Sequence, residues 1–566
     1  MANTLAIVLP RVRPRLGRDE WLMGGSLLVL ALYLTVTLLI PLVVMLSKSL
    51  EDRHGVFVGL SNFVRYFGNP SLTAAIGNSL WVSALATLIV VTLAFGYAYA
   101  LTRSCIPFKG FFRLLAMVPL LAPSLLSAIA LIYLFGNQGA LKSWLFGASI
   151  YGPIGIVMGS VFWTFPHALI ILITALSTAD ARLYEASESL GASAWRTFTT
   201  VTLPGARYGL ISATFVTFTL VITDFGVPKV VGGQFNMLAT DIYKQVVGQQ
   251  NFQMGAVVSL ILLLPALLAF FVERWAQSKQ TSALSSRAVP YQPKPHATRD
   301  LALLGLVSLV GILILGILGM AAFASLAKLW PYNLTLTLHH YDFSTADGGS
   351  WASYFNSIRM AFYTAVFGSV VVFAGAYLVE KSRVAKALRT ATHMLALIPM
   401  AVPGMVLGLA YIFFFNAPGN PLQFLYGSMA ILVLVSIAHF YTVSHLTALT
   451  ALKQLDPEFE SVSASLRTPF YRTLWRVTTP MCLPAILDIA IYFFINAMTT
   501  VSAVVFLYSP ATTLASVAVL NMDDAGDTAA AAAMAMLIVV TAGGVRLLHA
   551  WLSHWLHQRT QAWRQR

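Results

Sequence analysis

Ionisable side chains set in long apolar runs are the first candidates for chemistry, because each is expensive to bury and tends to be kept for a use. Asp224 closes the uncharged run Tyr208–Thr223 and is followed by Gly226, Pro228 and Lys229. A carboxylate at a helix break can contact a polar solute, since broken helices expose backbone groups beside transport pathways. It can equally be a structural pair with Lys229 or a solvated helix end. Thr500 and Ser502 hold the matching places in the second half of the chain, so any such site is asymmetric. Asp488 follows Pro484 and is expected in a first helical turn, where the helix dipole favours a carboxylate. His393, His439 and His445 lack the spacing of a metal centre and read as packing or interfacial histidines. Asp523, Asp524 and Asp527 form an acidic cluster, a solvated loop or a docking edge. Cys105 and Cys482 are too few for a disulfide scaffold or a thiolate metal cluster and read as unreactive thiols. No Gly-x-x-x-x-Gly-Lys-[Ser/Thr] occurs, so the chain has no such cradle for ATP phosphates. With no catalytic constellation and no metal or cofactor set, the chain does not read as an enzyme.

A polar segment offers more. Residues 180–204 begin with Asp180, carry Glu185-Ala186-Ser187 and Gly191-Ala192-Ser193, and close with Leu203-Pro204. They predict a short helix over Leu183–Leu190, stopped by Gly191, since Gly readily takes the positive φ just past a helix end. A second short helical stretch follows. By periodicity alone this is an ordinary amphipathic connecting loop.

The elements that position these residues must live in a solvent other than water. The 566 residues are 58% hydrophobic and 10% charged, with mean hydropathy +0.76. A membrane-spanning helix needs about 20 mostly apolar residues. Spans are expected near 22–46, 73–102, 113–136, 150–176, 206–226, 252–273, 301–327, 352–379, 391–415, 427–449, 482–507 and 528–550. Their length excludes a membrane β-barrel. The first run is preceded by Arg11, Arg13, Arg15 and Arg18 and is too long for a cleaved signal, so it reads as a retained helix. With these spans, 27 of the 35 Lys and Arg fall on the side of the N-terminus. The positive-inside rule then places both termini in the cytoplasm. It also accounts for the net charge of +14 without a nucleic-acid partner.

The chain also repeats itself. Asn78-Ser79 opens a span ending at Ala98-Tyr99, and Asn356-Ser357 opens one ending at Ala376-Tyr377. Pro119 and Pro123 are answered by Pro399 and Pro403, Thr174-Ala175-Leu176 by Thr450-Ala451-Leu452, Asp180 by Asp456, Leu190 by Leu466, and Pro204 by Pro480. Such an ordered series indicates duplication. Six spans per copy make the copies parallel, related by an axis along the membrane normal. The organisation is a basic arm 1–21, a first repeat 22–276, a linker 277–300 rich in Ser, Gln, Pro and Lys, a second repeat 301–552 and a tail 553–566. The second copy of the polar loop, 456–480, departs from the first. Glu460 comes one place early, Ser461-Val462 replaces Glu185-Ala186, and Arg467 replaces Gly191, so its helix is expected to end differently, at Thr468-Pro469.

Glu185-Ala186-Ser187, Gly191-Ala192-Ser193, Phe198 and Val201-Thr202-Leu203-Pro204 resemble the coupling signature of ABC importer permeases. In that family a Glu-Ala-Ala start is followed by Gly six residues after the Glu and then by Leu-Pro. The resemblance covers nearly the whole chain, twice. It implies an all-α integral membrane protein of the type I importer fold, with about twelve helices in the bacterial inner membrane. It implies that Glu185, Ala186, Gly191, Ala192, Leu203 and Pro204, with Glu460, Ser461, Leu466 and Arg467, contact two copies of a cytoplasmic ATPase, which bind ATP and Mg. It further implies a periplasmic solute-binding protein and a small-molecule substrate. Thr223–Lys229, Asp241–Phe252, Phe414–Pro421 and Leu520–Gly526 resemble the fused permeases assigned to 2-aminoethylphosphonate importers, with fused ferric-iron permeases as wider relatives. An ion-coupled secondary transporter is the rival class; it predicts charges deep in the spans, for which only Asp224 and Asp488 are candidates.

Overall fold

The computed structural model describes residues 17–560 apart from 284–288, 290, 345, 347, 383, 384 and 457. The arginines at 11, 13 and 15, and the tail beyond 560, lie outside the described residues. Among the described residues, eight helices are long and apolar enough to cross a membrane as single rods: Arg18–Ser49, Pro70–Arg103, Pro153–Ser177, Ala194–Thr223, Phe252–Lys279, Ala297–Leu326, Trp351–Lys381 and Thr528–Trp555. Four more stretches are bent pairs, making twelve when each pair counts once.

The bends correct four of the expected spans. Lys109–Leu121 and Ser124–Phe135 meet at 100°, and Lys386–Ala401 and Gly404–Phe415 at 115°. The cause is the repeated proline pair. Pro123 and Pro403 force the preceding residue out of the helical region, and Ala122 and Val402 are extended, with ψ of 139° and 116°. Phe470–Met481 and Leu483–Thr499 bend by 79°, whereas the matching first-repeat helix Ala194–Thr223 does not. Pro484, which stands where the first copy has Tyr208, lacks an N–H and would strike the carbonyl four residues back. The fourth pair, Met429–His439 and Tyr441–Lys453, turns by 57° at Phe440. The expected spans 206–226 and 482–507 also end early, at Thr223 and Thr499.

Beyond those ends the chain does not run free. Gly226–Val231 and Leu238–Tyr243 in the first repeat, and Ala515–Ala525 in the second, are short helices buried within the protein. The Asn-Ser pairs hold them in place. Ser79 Oγ accepts from the Leu238 N–H at 2.8 Å, and Ser357 Oγ from the Ala515 N–H at 2.7 Å. Asn78 donates to the Asn236 carbonyl at 3.1 Å, and Asn356 to the carbonyls of Ala511 and Thr513 at 3.0 and 3.2 Å. Backbone donors that no water can reach thus find partners on the second helix of each repeat.

The first helix of each repeat packs against the other repeat. Arg18–Ser49 lies on Lys386–Leu397 and Gly404–Phe415, and Ala297–Leu326 lies on Ser124–Phe135 and Pro70–Arg103. Each also touches the last span of its own repeat. Missing side chains permit the approach: Leu30 closes on Gly375 and Leu306 on Gly96, as small residues allow between membrane helices. The Ala327–Leu329 and Asn333–Leu336 hairpin adds a crossing tie, with Trp330 Nε1 donating to the Gln138 carbonyl at 3.0 Å.

Candidate functional site

The 180–204 loop is assembled from its own polar groups. Asp180 leaves the fourth span extended, and its carboxylate accepts from the Arg182 N–H at 3.1 Å, capping the helix Ala181–Ser189. Gly191 takes φ +70°. The Ala192 N–H then returns to the Ser187 carbonyl at 3.1 Å, the closure that ends a helix on a left-handed residue. Ser187 and Thr197 share a hydroxyl hydrogen bond of 2.8 Å, and Tyr184 Oη donates to Thr202 Oγ1 at 3.1 Å. One wide turn follows, in which the Leu203 N–H reaches five residues back to Phe198, and Pro204 re-enters the bundle. Wide turns of this kind recur at functional sites. Ala181, Tyr184 and Ser187 are buried, while Leu183, Glu185, Ala186 and Leu190 face outward, Leu190 being 86% exposed. The helix thus offers an apolar and acidic face to whatever lies beyond it.

The second loop repeats the plan with different residues. Asp456 accepts from the Glu458 N–H at 2.9 Å, and the helix runs Glu458–Ser465. Ser463 and Thr473 share the hydroxyl bond that matches Ser187 and Thr197. The wide turn recurs, with the Thr479 N–H on the Leu474 carbonyl. The expected change of helix ending does not occur. Arg467 itself adopts the left-handed conformation, φ +52°, and the Thr468 N–H returns to the Ser463 carbonyl at 2.9 Å. Tertiary context imposes on an arginine the backbone that glycine adopts freely. A further substitution is compensated from afar: Pro469 stands where Ser193 caps the first loop, and Asp19 of the first span accepts from the Phe470 N–H at 3.0 Å. Glu460 pairs with Lys381 at 2.9 Å. Ser461 and Leu466 are exposed.

Asp224 and Lys229 are not paired. Asp224 is buried and accepts from Ser124 Oγ at 3.1 Å and from the N–H groups of Gly226 and Val227 at 3.2 and 3.0 Å. It caps the helix Gly226–Val231 and fastens it to the bend at Pro123. Lys229 instead crosses to the second repeat, reaching Asp524 at 2.9 Å and lying 5.3 Å from the centre of the Tyr243 ring. Asp523 and Asp524 are therefore not loop residues; they end the helix Ala515–Ala525. Thr500 keeps the backbone of Asp224, with ψ 138° against 132°. Ser502 faces Gly404 just as Ser124 faces Gly226, so the serine and the glycine of this contact are exchanged between the repeats. Asp488 lies past the first turn of Leu483–Thr499, so the helix dipole does not account for it; its carboxylate is more than half exposed, with His549 Nε2 3.2 Å away. His393 and His445 touch at 3.2 Å. No group of three or more potential metal ligands exists among the described residues.

A family model for the inner membrane component of binding-protein-dependent transport systems matches residues 92–281 and 372–558, about two thirds of the chain. The ferric transport system permease protein of Actinobacillus pleuropneumoniae is 26% identical over 549 residues, which is 93% of this chain and 78% of that protein. A spermidine/putrescine permease of Haemophilus influenzae is 26% identical but covers 43% of this chain and 90% of its own length. Among solved structures, a bacterial ABC transporter that imports alginate has 15% identity over 47% of this chain and 98% of its own, with a TM-score of 0.40.

Proposed function

The chain belongs to the family of binding-protein-dependent transport system inner membrane components, and from that premise we propose that it forms, alone, the whole membrane pathway of an ATP-driven importer. The carrying observation is the twice-built loop: a capped helix, a left-handed stop at Gly191 or Arg467, a hydroxyl tie ten residues long and one wide turn into the fifth span. A helix so tightly tied to the span behind it passes a push to the bundle and does not absorb it. The outward faces at Leu183–Leu190 and Phe459–Leu466 are then the docking points of two copies of a cytoplasmic ATPase that holds ATP and Mg. Both chain ends lie on that side, and a periplasmic binding protein delivers the solute to the other. Coupling requires that these helices contact the two nucleotide states of the ATPase differently.

In vesicles containing the ATPase and the binding protein, Gly191→Pro or Glu185→Lys abolishes solute-stimulated ATP hydrolysis while the protein still inserts. Normal stimulation in both variants refutes the reading. For the solute, the residue-level resemblance supports 2-aminoethylphosphonate or a related phosphonate. Ferric iron is the second reading, favoured by a ferric permease that aligns across both repeats. Calorimetric titration of the cognate binding protein with each separates them.

A further inference from the structure

Val289, Tyr291 and Lys294, described residues of the linker between the repeats, lie against the first of the two loop helices. The Ala181 N–H donates to the Val289 carbonyl at 2.9 Å, and the Val289 N–H to Asp180 Oδ1 at 3.3 Å. Tyr291 packs on Tyr184 with ring centres 4.5 Å apart, and the buried guanidinium of Arg103 lies 4.5 Å from the Tyr291 ring and 5.0 Å from that of Tyr184. Arg103 is itself fixed to the end of the fourth span through the Leu176 carbonyl at 2.6 Å. Lys294 bonds both carboxylate oxygens of Glu188, at 2.9 and 2.7 Å. The buried face of the helix, Ala181 and Tyr184, is covered in this way, and the outward face is left open.

We propose that Val289, Tyr291 and Lys294 are positioning residues: the linker is a brace that fixes the first coupling helix to the fourth span through Arg103, so that a displacement of that helix reaches the membrane bundle. The brace rests on the coupling reading given above. Two packed rings that share one cation resist sliding, and the paired hydrogen bonds of Val289 set the register of Asp180 and Ala181 against the linker. A helix restrained on one face loses little of an applied displacement to its own rocking.

The test is the number of ATP molecules hydrolysed per solute imported, in vesicles containing the chain, its ATPase and its binding protein. A loss of folded protein lowers both rates together and leaves this ratio unchanged. With Tyr291→Ala the ratio rises at least threefold, with Tyr291→Phe it stays, and with Lys294→Glu it rises and returns when Glu188→Lys is added. Val289→Pro, which deletes the N–H to Asp180, serves as an independent variant should Tyr291→Ala fail to insert. Leu183→Asp, on the open face, is the control. If it uncouples while the Tyr291 and Val289 variants keep the native ratio, the brace is refuted and the coupling reading stands. If Leu183→Asp also keeps it, the coupling reading falls first.

Discussion

Exchanging the helix stops of the two loops isolates a backbone effect. Arg467 is exposed, and no atom lies within 4 Å of where a side chain at Gly191 would begin, so neither position contributes packing. Holding a residue with a side chain in the left-handed region costs roughly 1–2 kcal/mol, against about 0.5–1 kcal/mol of extra chain entropy lost by glycine. Arg467→Gly therefore stabilises the helix Glu458–Ser465 by about 0.5–1 kcal/mol, and Gly191→Arg weakens Ala181–Ser189 by a similar amount. Local opening governs amide exchange, so these energies translate into about two- to fivefold slower exchange over the second helix and an equal acceleration over the first. Hydrogen–deuterium exchange with mass spectrometry, in detergent and without the ATPase, reads both segments in one experiment. Unchanged or faster exchange over 458–465 in Arg467→Gly refutes the claim that the arginine carries a backbone penalty.

The exchanged serine and glycine give a second outcome. Gly226→Ser drives a side chain into Ser124 and lowers stability by about 1–3 kcal/mol, seen as a reduced melting temperature of the purified protein. Adding Ser124→Gly reopens the space, as at Gly404 and Ser502, but also removes the Ser124 donor from Asp224, so it restores part of the loss; no recovery contradicts the pseudo-symmetric contact. For the link between repeats, a double-mutant cycle on Lys229→Ala and Asp524→Ala yields a coupling of about 0.5–1 kcal/mol that shrinks in high salt, as a part-exposed pair requires. A coupling of zero at low salt removes the pair from the account.

Much of the membrane architecture follows from residue patterns. Apolar length places the spans, the duplicated prolines and Asn-Ser pairs mark the repeat, and Asp180 with Gly191 delimits the first loop helix. What sequence could not convey is chiefly tertiary. Asn78-Ser79 is legible as a repeat mark, but its work on a short helix some 160 residues away emerges only in three dimensions. Lys229 lies close to Asp224 in the chain, so proximity suggested a pair. Three nearer donors satisfy Asp224, and the lysine is free to reach Asp524. The left-handed Arg467 violates a local preference that any pattern-based reading applies, and the capping acceptor for Phe470 comes from Asp19 across 451 residues. Pro484 could have announced the 79° bend, since Pro480 lies one turn before it, but a proline near a helix start is equally at home in a straight rod.

Because Arg18–Ser49 and Ala297–Leu326 each lie along the opposite half, neither half is a finished object. Either one produced by itself would bare to lipid a furrow shaped for a helix it does not own, while its own leading helix would jut out with nothing to lean on. Two halves made as separate chains would clasp arms on meeting, and peptide continuity between them would contribute little to holding them together. Covalent fusion in this chain is thus better understood as fixing stoichiometry and the distinct identity of each half than as supplying adhesion.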